Sequence, residues 1–411
     1  PLRRLRRFAL ERAERWVIAR QEADGSWGGI QPPWVYSLIA LKTLGYGNDH
    51  PVTAKGIEGL LTGFALETED TFTVQPCVSP VWDTALAVTG MREAGVPADD
   101  EGLLRAGRWL LSKEIRARGD WCVKVKDVEP GGWAFEFEND NYPDTDDTAE
   151  VLIALRLLAL EGERDGAWRR AARWLLAMQS RNGGWGAFDK DNTKSFVTQI
   201  PFADFGAALD PPSEDVTAHI AEFLALDGMR ADAPALRRAL DYLHATQERD
   251  GSWFGRWGVN YVYGIGAVVP ALVAAGESPR SPRIRRAVAW LAAHQNPDGG
   301  WGETCASYDE PQTQRGRGES TASQTAWALL ALIAAGEERA DAARRGVEYL
   351  VRTQQSDGQW HEPQFTGTGF PRDFMLKYHL YRNYWPMWAL GRYRRTLAGN
   401  AIHLPGEDPL A

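Results

Sequence analysis

Three carboxyl groups fall within four residues at Asp144-Thr145-Asp146-Asp147, followed by Thr148-Ala149-Glu150 and then an apolar run from Val151. Pro143 resists helix on the upstream side, so the acids should stand at the N-terminus of a helix. A single Asp there needs no more than the helix dipole to explain it, a gain of ~0.3–1 kcal/mol. Three so close cannot all ionise cheaply, and one carboxyl is expected to keep its proton. Asp83, in Ser79-Pro80-Val81-Trp82-Asp83, and Asp215, in Pro212-Ser213-Glu214-Asp215, precede apolar runs in the same way. His219 lies four residues after Asp215 and shares its helix face. Alone it would be as readily a satisfied core histidine; beside these acids it is a candidate cation. The chain also carries 18 Trp, 12 Tyr and 14 Phe. Desolvated aromatic faces stabilise a cation by ~2 kcal/mol each and offer no nucleophile to trap it. A proton-holding carboxyl in such a lining suits protonation of an alkene and propagation of a carbocation, whereas hydrolysis would need a positioned water or a metal.

The elements that hold these groups are repeated. Arg, an aromatic at +4, Gln at +9, Gly at +13 and Trp at +15 recur as Arg12-Trp16-Gln21-Gly25-Trp27 and Arg170-Trp174-Gln179-Gly183-Trp185. They return as Arg238-Tyr242-Gln247-Gly251-Trp253, Arg286-Trp290-Gln295-Gly299-Trp301 and Arg345-Tyr349-Gln354-Gly358-Trp360. A degenerate copy runs from Arg105 and Trp109 to Gly119 and Trp121, with Glu114 in place of Gln. Each Arg-to-Gln stretch is amphipathic at helical period, and Asp-Gly or Asn-Gly ends it. The following Trp is expected to fold back, brace the helix end and hydrogen-bond the Gln. Between the copies lie more evenly apolar runs that open near Thr-Ala, at Thr84, Thr148, Thr217 and Thr325, with Asp and Thr as candidate N-caps. Amphipathic helices outside, apolar helices inside: the pattern predicts an all-α α/α barrel with its inner N-termini gathered at one end.

Composition narrows the class. A chain of 411 residues, 44% hydrophobic and 25% charged, has room for two or three domains and a large core. Its net charge of −9 argues against a nucleic-acid partner. Cys77, Cys122 and Cys305 form no pair, which argues against thiol-ligated zinc and suits a reducing compartment. No stretch reaches the ~18 apolar residues of a spanning helix, and no secretory signal is visible. The first residue is Pro1 rather than Met, so a fragment or processed form is expected.

Taken together, these motifs resemble the squalene–hopene cyclases, a class II triterpene cyclase family. The likeness rests on the acid motif, the Gln/Trp repeats, Gln31-Pro32-Pro33-Trp34, Ser79-Pro80-Val81-Trp82-Asp83, Pro212-Ser213-Glu214-Asp215-Val216-Thr217-Ala218-His219, the Gly255–Tyr261 segment and Gly367-Thr368-Gly369-Phe370-Pro371-Arg372-Asp373-Phe374. It implies an α/α toroid with Asp146 as the acid that protonates a terminal double bond of squalene, supported by Asp144 and Asp147. His219 would hydrogen-bond Asp146 as a charged partner, held in turn by Asp215, and Asp83 would join the same network. Trp82, Phe135, Trp257, Phe370, Phe374, Tyr378 and Tyr381 would line the cavity and stabilise successive cations. Gln31 and Pro32 would lie near the water-bearing end, and Phe202 and Phe205 would flank the substrate entrance. Phe188 stands where the family generally has Tyr, which leaves the ring and removes a hydroxyl.

The resemblance further implies hopene, with hopanol by water capture, and neither metal nor cofactor. It implies a monotopic protein on the cytoplasmic face of a bacterial inner membrane, taking squalene from the bilayer; a homodimer is compatible with it. Residues 1–66 would be the tail of a second α-barrel domain and residues 67–411 the acid-bearing barrel, most of the second barrel being absent, so that the chain alone is expected to turn over poorly. A class II cyclase for another polyprenyl substrate is the alternative, with Phe188 leaving room for it. A protein prenyltransferase β-subunit would share the barrel but needs a zinc ligand set, and a catalytically dead binding module would not need the acid cluster.

Overall fold

The computed structural model describes residues 2–199 and 209–400. The chain opens with α1 (Leu2–Ile18), α2 (Gln31–Thr43), α3 (Pro51–Gly63) and a hairpin of β1 (Ala65–Glu67) and β2 (Phe72–Val74). There follow α4 (Pro80–Ala94), α5 (Glu101–Ser112), α6 (Thr145–Arg156), α7 (Asp165–Met178), α8 (Glu214–Leu226), α9 (Pro234–Ala245), α10 (Tyr261–Ala274) and α11 (Pro282–Ala293). The short α12 (Pro311–Gln314) leads to α13 (Ala322–Ala334), α14 (Asp341–Thr353), a hairpin of β3 (Gly367–Phe370) and β4 (Phe374–Leu376), and α15 (Tyr381–Leu397). Among the described residues α4, α6, α8, α10, α13 and α15 close a ring, each packed on the next and α15 back on α4. The fold is an all-α α/α toroid, with α5, α7, α9, α11 and α14 outside the ring.

The apolar pattern explains which helix goes where. In α6 every residue from Thr145 to Leu155 is buried, and in α13 every residue from Ala322 to Ile333. In α14 only Ala343, Gly346, Tyr349 and Leu350 are buried, the stripe of a helix covered on one side. The first three helices have a core of their own, built on Trp27, Trp34, Leu41 and Phe64.

The repeat residues interlock neighbouring outer helices. Gln179 Nε2 donates to the Gly183 carbonyl at 2.8 Å and to Ala235, in the first turn of α9, at 2.9 Å. Gln247 does the same to Gly251 and Arg283, and Gln295 to Gly299 and Ala342. The guanidinium groups of Arg238 and Arg286 return a bond to Gln179 and Gln247. Gly183 and Gly299 adopt φ of 96° and 93°. A Cβ on them would lie 2.2 Å from Arg238 O and 2.6 Å from Arg345 O, so the next repeat's Arg backbone seats on a bare glycine.

Three details differ from the sequence reading. The Trp does not bond the Gln: Trp185, Trp253 and Trp301 donate their indole N–H to the carbonyls of Leu175, Leu243 and Leu291 at 2.7–2.8 Å, ten residues back. In the degenerate copy that place is taken by Trp133, which bonds Leu110 O at 2.6 Å, and not by Trp121; Glu114 does replace Gln, receiving Arg170 at 2.6–2.7 Å. The threonines at Thr-Ala are not caps. Thr148, Thr217 and Thr325 accept the backbone N–H of Trp133, Trp185 and Trp301, each at 3.0 Å, while Asp144 and Thr321 cap α6 and α13. A hydroxyl in the first turn of an inner helix therefore docks the repeat Trp, which no local rule foretells.

Candidate active site

The N-terminal ends of the six inner helices meet in one buried layer. Asp146 and Glu150 come from α6, one turn apart, and His219 from α8. His219 Nδ1 lies 2.7 Å from Asp146 Oδ1 and 3.8 Å from Glu150 Oε1. Aromatic rings complete the circle. Trp82 of α4 stands 6.3 Å from the His219 ring and Tyr263 of α10 stands 6.0 Å from it. Tyr263 meets Trp327 of α13 at 4.7 Å, and Trp327 meets Tyr381 of α15 at 5.9 Å. Trp82 Nε1 closes the ring by donating to the Tyr381 hydroxyl at 2.9 Å. Asp146 and His219 are each 5% exposed, so acid and imidazole are shielded from bulk water.

Burial and mutual charge govern protonation here. Burial, with the Asp146 carboxylate beside it, raises the carboxyl of Asp144 well above its ordinary range; burial and the charges of Asp144 and Asp146 do the same to Asp147. Burial by itself would lower His219, but the charge and hydrogen bond of Asp146, with Glu150 and Asp215, carry it to about 10. Burial pushes Glu150 up to about 7 against the pull of His219. The arrangement is an imidazolium donating Nδ1–H to one oxygen of Asp146.

A stability prediction follows. His219 binds its proton more tightly in the folded chain than at its ordinary 6.5, so its contribution is complete below pH 6.5 and is lost as pH rises toward about 10. Glu136 and Glu214, raised by burial from 4.5 to about 8, hold protons that the unfolded chain has released above pH 4.5, and destabilise in the same direction. The melting midpoint should therefore fall steadily from about pH 5 to pH 10, and calorimetry across that range should show it. A midpoint that rises with pH would contradict this proton inventory.

The remaining sequence candidates separate into groups. Phe135 meets Tyr378 at 6.1 Å, and Tyr378 stacks on Tyr381 at 4.2 Å, joining both to the acid layer. Phe188 and Trp257 meet edge to face at 6.0 Å. Phe370 and Phe374 lie 5.8 Å apart across a turn in which Asp373 N–H donates to Phe370 O at 3.1 Å. Pro371 and Arg372 occupy its central positions, and Arg372 has φ 82°, the left-handed conformation a type II turn demands there. For a non-glycine residue that costs ~1–2 kcal/mol. Gln31 and Pro32 begin α2, anchored by Gln31 N–H to Pro76 O at 2.8 Å. Phe202 and Phe205 lie outside the described residues.

Two expected links are corrected. Asp215 does not hold His219 by a hydrogen bond. It accepts from Ser213 Oγ at 2.6 Å and from Trp257 N–H at 2.8 Å, so it fixes the Trp257 loop and reaches His219 only through its charge. Asp83 accepts from Ser79 Oγ at 2.7 Å and from Tyr384 OH at 2.9 Å, a pair of bonds separate from the Asp146 cluster.

Sequence reasoning missed Glu150, Tyr263, Trp327 and Asp210. Asp210 accepts the backbone N–H groups of Ala187, Phe188 and Asp189 at 2.7–3.1 Å and so fixes the Phe188 loop. A signal for Glu150 and Trp327 existed: Thr148, Thr217 and Thr325 share a register, and two residues on come Glu150, His219 and Trp327. Among the described residues no group of three His, Cys, Asp or Glu side chains is placed to hold a metal, and no helix is long and apolar enough to cross a membrane.

Comparison with known proteins bears on this geometry directly. A family model described as the squalene-hopene cyclase C-terminal domain matches residues 78–395. The chain belongs to the squalene–hopene cyclase family. The family's N-terminal domain model matches residues 1–70. A squalene–hopene cyclase of Alicyclobacillus acidocaldarius is 56% identical over 395 residues, covering 95% of this chain and 62% of that protein. One from Zymomonas mobilis is 42% identical, covering 96% and 62%; a dammaradiene synthase of Dryopteris crassirhizoma is 42% identical, covering 97% and 62%. The chain thus spans about 62% of the length of these curated relatives. The apo type II terpene cyclase MstE from Scytonema has a TM-score of 0.52 at 18% identity, covering 81% of this chain and 92% of its own. An ent-copalyl diphosphate synthase from Streptomyces platensis scores 0.53 at 19%, covering 85% and 56%. Both likenesses concern the family's fold.

Proposed function

We propose that the whole protein is a squalene–hopene cyclase, converting squalene to hopene, and to hopanol when water is captured. The observation that carries this reading is the buried His219–Asp146 bond in one circle with Trp82, Tyr263, Trp327 and Tyr381, on a chain of this family. Once the Asp146 oxygen that His219 leaves free has taken up a proton, its O–H bond breaks and that proton goes to the terminal alkene. The alkene electrons then close successive carbon–carbon bonds, and the last cation loses a proton or takes up hydroxide from water. The carboxylate left behind is stabilised by the imidazolium, while protonated Asp144 and Asp147 add no competing negative charge. The aromatic faces stabilise each cation without capturing it. Hopene formation is an isomerisation; no oxidant or reductant enters.

In this reading residues 1–66 are the tail of a second α-barrel domain and residues 67–411 the acid-bearing barrel. The separate core of Trp27, Trp34, Leu41 and Phe64 supports that division. Squalene is a water-insoluble hydrocarbon, which favours a monotopic protein at the cytoplasmic face of a bacterial inner membrane, with a homodimer compatible. The test is to incubate a polypeptide of the relatives' full length with squalene in detergent and identify the hydrocarbons by mass spectrometry; unconsumed squalene refutes the assignment. His219→Ala should lower turnover about 10²-fold with product proportions unchanged, since it weakens the first proton transfer and no later step. Wild-type rates in that variant would remove His219 from the acid site.

A further inference from the structure

Three of the aromatics expected to line the cavity, Trp257, Phe370 and Phe374, lie on two segments that the backbone ties together. The Trp257 loop and the β3–β4 hairpin meet at a bridge between Gly258 and Gly367. Thr368 N–H donates to Trp257 O at 3.0 Å, and Val259 N–H to Thr366 O at 2.9 Å. Tyr308, 3% exposed, stands behind both. Its hydroxyl lies 2.7 Å from Gly255 O and 2.9 Å from Gly258 O, sharing one proton between the two carbonyls of the Trp257 loop. Its own carbonyl accepts from Arg372 Nε at 3.0 Å, and Arg372 sits at the tip of the hairpin between Phe370 and Phe374. Arg372 is one of two non-glycine residues with positive φ among the described residues. A side chain that makes this bond is a physical reason for a residue other than glycine at that strained position.

We propose that Arg372 and Tyr308 form a clamp that holds Phe370 and Phe374 in register with Trp257, and so sets how far along the polyene cyclisation runs before a proton is lost. Both are positioning residues, and the proposal rests on the cyclase reading above. Cation–π attraction needs the ring centroid within about 6 Å of the charge. A hairpin free to swing leaves intermediate cations without that partner, and a C–H bond next to the cationic carbon then breaks, its electron pair forming an alkene and its proton passing to water. The partly cyclised alkenes so released are isomers of squalene.

Arg372→Gly removes the guanidinium and relieves the turn; Arg372→Ala removes it and keeps the strain; Tyr308→Phe removes only the hydroxyl. All three should raise the share of partly cyclised hydrocarbons about threefold to tenfold, the scale of one hydrogen bond, with squalene consumption within about twofold of the parent. Arg372→Lys, which keeps charge but not the planar donor, should restore the profile in part. Hydrogen exchange, read without substrate, should speed up at the Thr368 and Val259 amides in Arg372→Gly and Tyr308→Phe. Unchanged exchange at those amides overturns the clamp even if squalene is not cyclised at all, an outcome that would defeat the functional reading separately. Unchanged product proportions in an active Arg372→Gly or Tyr308→Phe overturn the control of ring closure, as does lost turnover with proportions intact.

Discussion

Asp146→Asn should abolish cyclisation, lowering turnover by at least about 10³-fold, in the upper range of what a positioned acid contributes. The substitution is close to isosteric, and its amide oxygen can still accept His219 Nδ1–H, which now lies 2.7 Å from the carboxylate. What it cannot do is release a proton. Removing the Asp146 charge also takes away the largest upward influence on His219, whose proton affinity should fall from about 10 toward its ordinary 6.5. Two measurements therefore belong together: product analysis with squalene, and titration of the His219 ring by NMR. Hopene from the Asn variant would refute the assignment of the acid. An unmoved His219 titration would refute the ion pair.

The second large effect concerns the scaffold. Trp301 is fully buried; its indole N–H donates to Leu291 O at 2.8 Å and its backbone N–H donates to Thr325 Oγ1 at 3.0 Å. Trp301→Ala opens a cavity between an outer and an inner helix and should cost ~3–5 kcal/mol. Gln354→Ala, in the last repeat, should cost under ~1 kcal/mol: its side chain is exposed and donates to the Gly358 carbonyl at 2.9 Å, and a Cβ on Gly358 would meet nothing within 4 Å, so no further repeat seats there. Denaturant unfolding of the two variants would test the contrast, and equal losses would show that the repeats do not lock successive helices as their geometry indicates.

The legibility of this chain follows from the range of the forces involved. Arg238, Gln179 and Gly183 carry a fixed spacing because each must meet a fixed partner one repeat away, so a linear pattern exposes both the outer helices and their order. Helices α6 and α13 are buried all round, and unbroken apolar composition marks them as inner. Three carboxyls within one turn are a local fact, and their electrostatic conflict can be read from spacing before any coordinates exist. The proton-holding character of that cluster was legible for this reason.

What periodicity could not supply was closure. The bond between His219 and Asp146 joins residues 73 apart in the chain, and Trp82 and Tyr381 meet across 299. Whether Asp215 bonds His219 or the Trp257 amide depends on how α8 is rotated against its neighbours. Asp83 turns toward Tyr384 because α15 closes the ring against α4, far away in sequence. Glu150, Tyr263 and Trp327 look like ordinary core or helix residues until six N-termini converge on them. Spacing along one helix reports the conflict of neighbouring charges; a meeting of six helices in space, fixed by packing around the ring, selects the partner that resolves it.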